Sequence, residues 1–400
     1  MTNRDGQSIA PRSIGPPERS VLLICARPFL NNSDRANLGP RLDSSLNWET
    51  LFSTARRHGL LPLMYHHLSQ LGLDRIPPAT AQNLKLSYQE NVARNIVLLD
   101  ELLAISVELK SRGIESLPFK GPVLGLFAYG DPGLRQSADI DLVVQLKDVG
   151  RASQCLTEHG YRLTRSLDAR QVKFLVARQH NIQFAQDQGR VMIELHWRIA
   201  PKLFAKGLGA DDLWSKLETT TIKKVELSSL PVEPLLLALC VHGARHLWER
   251  LSWVTDLAAV ISSARSIDWT EVWALARRTQ TQRMLLVGLQ LAHELLQAPL
   301  PTEMAMAISD DAITTKVADT LATKLFQIQP QSSFRHTFRS NLRMRNGWSS
   351  RLRYCGFAIS PTDGELELMS VPRGFNFVYY GLRPWRLLST RKSRHARMSS

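Results

Sequence analysis

Two aspartates, Asp139 and Asp141, flank a single isoleucine in "SADIDLVV" (Ser137 to Val144), and an apolar run follows at once. On an extended strand, side chains two apart share a face, so both carboxylates point one way while Ile140 and Leu142 point the other. A third acid is placed in the same manner in "VMIELHW", where Glu194 lies between Ile193 and Leu195. A carboxylate at the centre of an apolar strand is costly to bury unless it is paired or metal-bound. Two carboxylates at i and i+2, joined by a third from a neighbouring strand, suit one or two hard divalent cations, and Mg²⁺ prefers such oxygen donors. An Asp-x-Asp by itself is a weak signal, because the same pattern arises in solvated loops.

The neighbourhood adds phosphate chemistry. "IESLPFK" reads as a short buried strand, and "GPVLGLFAY" as a short helix opened by Gly121. A helix N-terminus offers free N–H groups and a partial positive charge to an anion. Arg135, four residues before Asp139, supplies a guanidinium suited to clamping a phosphate oxygen. Lys120, Gly121, Arg135 and the three acids together describe a site for a nucleoside triphosphate with Mg²⁺, fit for phosphoryl or nucleotidyl transfer. The plainer reading makes Lys120 a surface lysine and Arg135 a partner of Asp131.

Histidines form a second group. His242 and His246 stand at i and i+4 in "HGARHLWERLSWVTD", on one helix face. Such a pair binds zinc in His-Glu-x-x-His proteases, but Gly243 occupies the glutamate position here. Asp256 lies roughly 15 Å further along a straight helix, too far to share an ion. The pair therefore reads as a polar helix face packed on the core, or as a lining of the cleft, with Trp248 and Trp253 as packing residues. His196 shares the strand face of Glu194, as a neighbour either to a metal or to a hydrogen-bonded acid.

These residues need a scaffold, and the periodicity supplies one. Residues 1–40, rich in Pro, Gly, Ser, Asn and Arg, are expected to be mostly disordered. Helical spacing then runs through 41–113, ending at Gly113. From 114 to 224 strand and helix alternate, with "NIQFAQD" and "VMIELHWRI" as a hairpin, which gives an α+β plan built on an α/β core. Helices return over 225–330, and 331–400 is expected to be basic and irregular.

With 50 Lys and Arg against 36 Asp and Glu, the chain carries +14, much of the excess near its C-terminus. That balance favours phosphate-bearing or acidic partners, with nucleic acid a less favoured one, and the basic tail suits peripheral contact with an anionic membrane. Four scattered cysteines have no metal-binding spacing. "VLLICA" is too short for a signal sequence, and no apolar run reaches the roughly 20 residues of a membrane span. A cytoplasmic location is expected.

"LPFKGPVLGLFAYGDPGLRQSADIDLVV", "IELHWRI" and "VHGARHLWERLSWVTDLAAVI" together resemble a bacterial family of uncharacterised nucleotidyltransferases, within the DNA polymerase beta-like superfamily, over about Trp48 to Leu296. The resemblance implies a mixed-sheet nucleotidyltransferase core flanked by helical regions, with Asp139, Asp141 and Glu194 as catalytic and metal-binding acids. It implies two Mg²⁺ ions, with Mn²⁺ as a substitute, an NTP such as ATP as donor, and an unidentified hydroxyl-bearing acceptor. Relatives of this kind are often associated with exopolysaccharide gene clusters. The usual Gly-Ser that grips the triphosphate is replaced here by Lys120-Gly121-Pro122, and Pro122 has no N–H to donate. The alternative is a non-catalytic nucleotide-, nucleic-acid- or protein-binding module that keeps the same fold.

Overall fold

A computed structural model describes residues 13–42, 45–186, 189–205, 213–327 and 334–366, together with 207, 368, 371, 375 and 377–383. Most of the basic tail, from Pro384 onward, and the first 12 residues lie outside the described residues.

Among the described residues five α-helices precede the first strand: α1 (Pro16–Cys25), α2 (Asn32–Leu42), α3 (Trp48–His58), α4 (Leu61–Ser69) and the 34-residue α5 (Pro78–Ser111). The first two correct the expectation of a loose N-terminus. Val21, Leu22 and Cys25 of α1 are wholly buried, and Ile14 N–H bonds Phe326 O at 3.0 Å, so apolar burial outweighs the Pro- and Gly-rich composition. Helix α3 starts at Asn47, whose side chain accepts from Thr50 N, and stops at Gly59 in the left-handed conformation.

The α+β core follows. Strand β1 (Ser116–Pro118), helix α6 (Gly121–Tyr129), β2 (Ile140–Val144), α7 (Val149–Glu158), β3 (Tyr161–Leu163), α8 (Ala169–Arg178), β4 (Asn181–Gln186) and β5 (Met192–His196) alternate along the chain. The sheet order is β1-β2-β5-β4-β3, with β2 and β5 parallel and every other pair antiparallel. Ile140, Leu142, Val144, Ile193 and Leu195 pack on one side against Leu98, Leu102, Ile105 and Leu109 of α5 and against α7. The alternation that buries these residues turns the polar set of β2, β4 and β5 to the opposite face.

A hairpin, β6 (Glu218–Ile222) and β7 (Val225–Ser229), turns at Lys223 and Lys224, both at positive φ. The expected end of the core at 224 therefore falls inside this turn. Helices α9 (Val232–Arg245), α10 (Leu251–Ser263), α11 (Trp269–Thr279), α12 (Gln282–Leu296), α13 (Thr302–Ser309) and α14 (Ala312–Leu325) come next. They share one apolar core with the N-terminal helices, joining Leu22, Leu51 and Leu63 to Leu236, Leu257, Leu289 and Leu321. Beyond it, α15 (Phe334–Arg343), α16 (Gly347–Ile359) and α17 (Asp363–Leu366) stand where irregular chain was expected. Buried Ser350, Tyr354 and Ala358 give α16 an inward face that composition alone conceals. Among the described residues no helix is long and apolar enough to cross a membrane.

One packing contact sets the bend between α9 and α10. Leu247 and Trp248 both take positive φ, and the fully buried Trp248 indole is folded back onto α9. A Cβ at Gly243 would lie 2.5–2.6 Å from three atoms of that ring, so only glycine fits there. Gly243→Ala is expected to destabilise the protein by about 1–3 kcal/mol, read from urea unfolding, because neither the ring nor the helix backbone has room to shift. An unchanged midpoint would show that the indole is free to move.

Candidate active site

The parallel pairing of β2 with β5 sets Asp141 directly opposite Glu194 and Val143 opposite His196. Asp139 immediately precedes β2. On the far side of β5, Asn181 and Gln183 of β4 pair with His196 and Glu194. Period-two alternation thus gathers these polar side chains on one sheet face. Donor atoms of Asp141, Glu194 and His196 all lie within 4.8 Å of one another, a group able to hold a metal ion. Asp139 lines the same cavity outside that three-donor group.

Both oxygens of Glu194 are engaged: Asn181 Nδ2 donates to Oε2 at 2.8 Å, and Gln183 Nε2 donates to Oε1 at 2.6 Å. His196 Nε2 lies between the acids, 3.1 Å from Asp141 Oδ1 and 3.2 Å from Glu194 Oε2. Lys120, at the N-terminus of α6, brings Nζ within 3.5 Å of Asp141 Oδ1 and 3.2 Å of His242 Nδ1. It therefore joins the sheet wall to the α9 wall. Gly121 holds φ at +61°, and a Cβ there would press on Asp139 O at 3.2 Å, so glycine permits the close approach of α6 to the strand.

Arg135 is pinned rather than free. Its Nε and Nη2 donate to the two oxygens of Asp256 at 3.0 Å each, Nη1 reaches Gly121 O and Ser137 Oγ, and Tyr129 OH donates to Asp256 at 2.8 Å. This bidentate clamp ties the loop before β2 to α10. Arg245 has an uncharged partner instead of a carboxylate: its Nη1 donates to His180 Nε2 at 2.5 Å.

Charge crowding shifts the proton affinities of these groups. Burial, with Asp141 and Glu194 adding repulsion, raises Asp139 to about 6. Burial also acts to raise Asp141, but Lys120 and the His196 hydrogen bond outweigh it and hold that carboxyl well below the usual range. Glu194 is likewise lowered, to about 2, because His196 and Gln183 overcome burial. His196 responds in the opposite sense: burial disfavours its charged form, yet bonds to both acids raise it above the ordinary histidine value. His242 lies well below that value through burial and the nearby Lys120.

A cavity of about 620 Å³ opens over this face. Lys120, Arg135, Asp139, Asp141, Glu194, His196, His242 and His246 line it, so these expected site residues are gathered in one place; Gly121 sits behind the lining. Asn181, Gln183 and Arg245, absent from the expected set, also face the cavity, as does Trp253, expected as a packing residue alone. The alternation in "NIQFAQ" was the available signal for the two amides; nothing local marks Arg245.

A divalent cation fits this donor set. Carboxylates that raise one another's proton affinity when crowded accept a hard cation in place of a proton. A family model described as uncharacterised nucleotidyltransferase matches residues 44–297. Among curated proteins none matches the chain.

The raised Asp139 yields a stability test with a defined sign. Its folded value near 6 exceeds the ordinary 3.8, so its ionised form costs stability above pH 6, and that cost fades as pH falls toward 4. In chelator, Asp139→Asn is expected to stabilise the protein by about 1–3 kcal/mol at neutral pH, with the difference from wild type vanishing near pH 4. Thermal unfolding across that range checks it. A difference independent of pH would assign the effect to packing instead.

Proposed function

This chain belongs to the family of uncharacterised nucleotidyltransferases, and from that membership we propose that it transfers a nucleoside monophosphate group from an NTP, such as ATP, to a hydroxyl-bearing acceptor, using Mg²⁺. The observation that carries the reading is the set of carboxylates on one sheet face, met across the cavity by cationic side chains. Asp139, Asp141 and Glu194 are the residues that would hold the metal, with His196 beside them. A divalent cation held there would neutralise phosphate charge and make an acceptor hydroxyl easier to deprotonate.

The chain's own residues would do the rest. Asn181 and Gln183 fix the orientation of Glu194, so its carboxylate is set before any ligand arrives. Lys120 carries a charge at the mouth of α6 and meets phosphate oxygens there, offsetting the N–H that Pro122 lacks. Arg245 reaches phosphate more readily than Arg135, because its protein partner is a histidine with a lowered pKa rather than a carboxylate. Arg135 acts through Asp256, holding the loop that presents Asp139.

A second reading has its own support. Lys120 and His196 already answer the charge of Asp141 and Glu194 in the protein alone, which suits a module that binds nucleotide without turnover.

Incubation with each α-labelled NTP, Mg²⁺ or Mn²⁺, and cell extract separates the two. Label transfer by wild type is expected, falling about 10²–10³-fold in Glu194→Gln and Asp141→Asn. Nucleotide binding with no transfer from any NTP supports the second reading, and absence of both sinks the proposal.

A further inference from the structure

Helices α15 and α16 carry two features that the cavity does not use. Trp348, Leu352 and Ile359 recur at i, i+4 and i+11 on α16, and all three face solvent, at 74%, 55% and 52% exposure. Single exposed apolar residues are ordinary, but a stripe at helical spacing opposite an already buried face is not. On α15, Arg335, Arg339 and Arg343 recur at i, i+4 and i+8, lining a groove of about 430 Å³ against α14. Among the described residues none of these three arginines has a carboxylate within ion-pair distance. Residues 334–362 contain no Asp or Glu at all.

The pair is held firmly to the frame. Phe338 of α15 stacks on Tyr354 of α16 with ring centroids 5.5 Å apart. Arg283 of α12, itself paired with Asp311 at 2.6 Å, donates to Arg343 O and Arg345 O at the turn between them. The outward residues are therefore presented by a fixed support.

We propose that α15 and α16 form a docking surface for an anionic lipid bilayer, with Trp348, Leu352 and Ile359 entering the interface and the arginines meeting lipid phosphates. Charge complementarity selects this occupant. The chain beyond Pro384 holds five Lys and Arg and no acid, so its charge does not complement this surface. A second copy would bring the same sign. Nucleic acid answers the arginines, and Trp348 offers a ring to a base, but Leu352 and Ile359 offer none, so most of the apolar stripe gains nothing from it. An apolar stripe with tryptophan and neighbouring arginines matches what lies in a bilayer interface.

The test is sedimentation of the full chain with vesicles of phosphatidylcholine alone or mixed with phosphatidylglycerol. Binding is expected only to the anionic vesicles and is weakened by salt. Leu352→Glu is expected to weaken it about tenfold through lost apolar insertion. Arg335→Glu with Arg339→Glu is expected to weaken it by a comparable factor through charge. All three positions are exposed, and circular dichroism checks that both proteins fold. Absence of wild-type binding overturns the proposal. So does wild-type affinity in both altered proteins, which places contact in the basic tail. A single-stranded oligonucleotide that displaces vesicles and binds Leu352→Glu unchanged makes the surface a nucleic-acid face instead.

Discussion

Like charges brought onto one face of a sheet must be answered, and the rest of this structure is arranged around that requirement. The parallel register of β2 and β5 puts Asp141 beside Glu194, with Asp139 at the strand's entrance. No single partner meets the charge. A histidine is shared between two carboxylates, an ammonium arrives from the start of α6, and two side-chain amides come from β4. Asp139 receives the least compensation and is the acid whose proton affinity rises. The compensated acids hold the site's shape, while Asp139 is left with the smallest share of opposing charge.

The helical layers follow from the two faces of the same sheet. The apolar face needs cover, and the long α5 supplies it with α7. The charged face needs walls that are not apolar, and α9 and α10 supply His242, His246, Arg245 and Asp256. Those helices are fixed in turn by the apolar core shared with the N-terminal helices and by Trp248 seated on Gly243. Rigidity at the cavity thus originates in a core that contains none of its acids.

Legibility followed the range of the interaction. Asp139, Asp141 and Glu194 stand out because an acid in an apolar period-two stretch contradicts its surroundings within a few residues. The α+β plan was readable from the change of period at Ile114. Asn181 and Gln183 were not, since amides in an alternating strand look like any solvated face. Arg135 shows the limit most clearly: proximity to Asp139 suggested a phosphate clamp, but its partner Asp256 lies 121 residues away. Helices α2 and α16 escaped because a few buried residues outweigh a polar, Gly-, Pro- or Arg-rich composition. The hairpin at Lys223-Lys224 lacks the Asn-Gly or Asp-Gly pair that usually marks such a turn.

That 121-residue separation also orders events during synthesis. A ribosome delivers β2 and Arg135 well before Asp256 exists, and domains gain structure in the order their segments emerge. Until α10 is made and docks, the loop before β2 lacks its clamp, and Lys120 lacks the α9 histidine it bridges toward. The nascent sheet therefore carries mutually repelling acids without their final surroundings. Completion of the cavity is tied to completion of the helical frame, so a chain broken off before Asp256 holds every proposed metal-binding acid and no finished site.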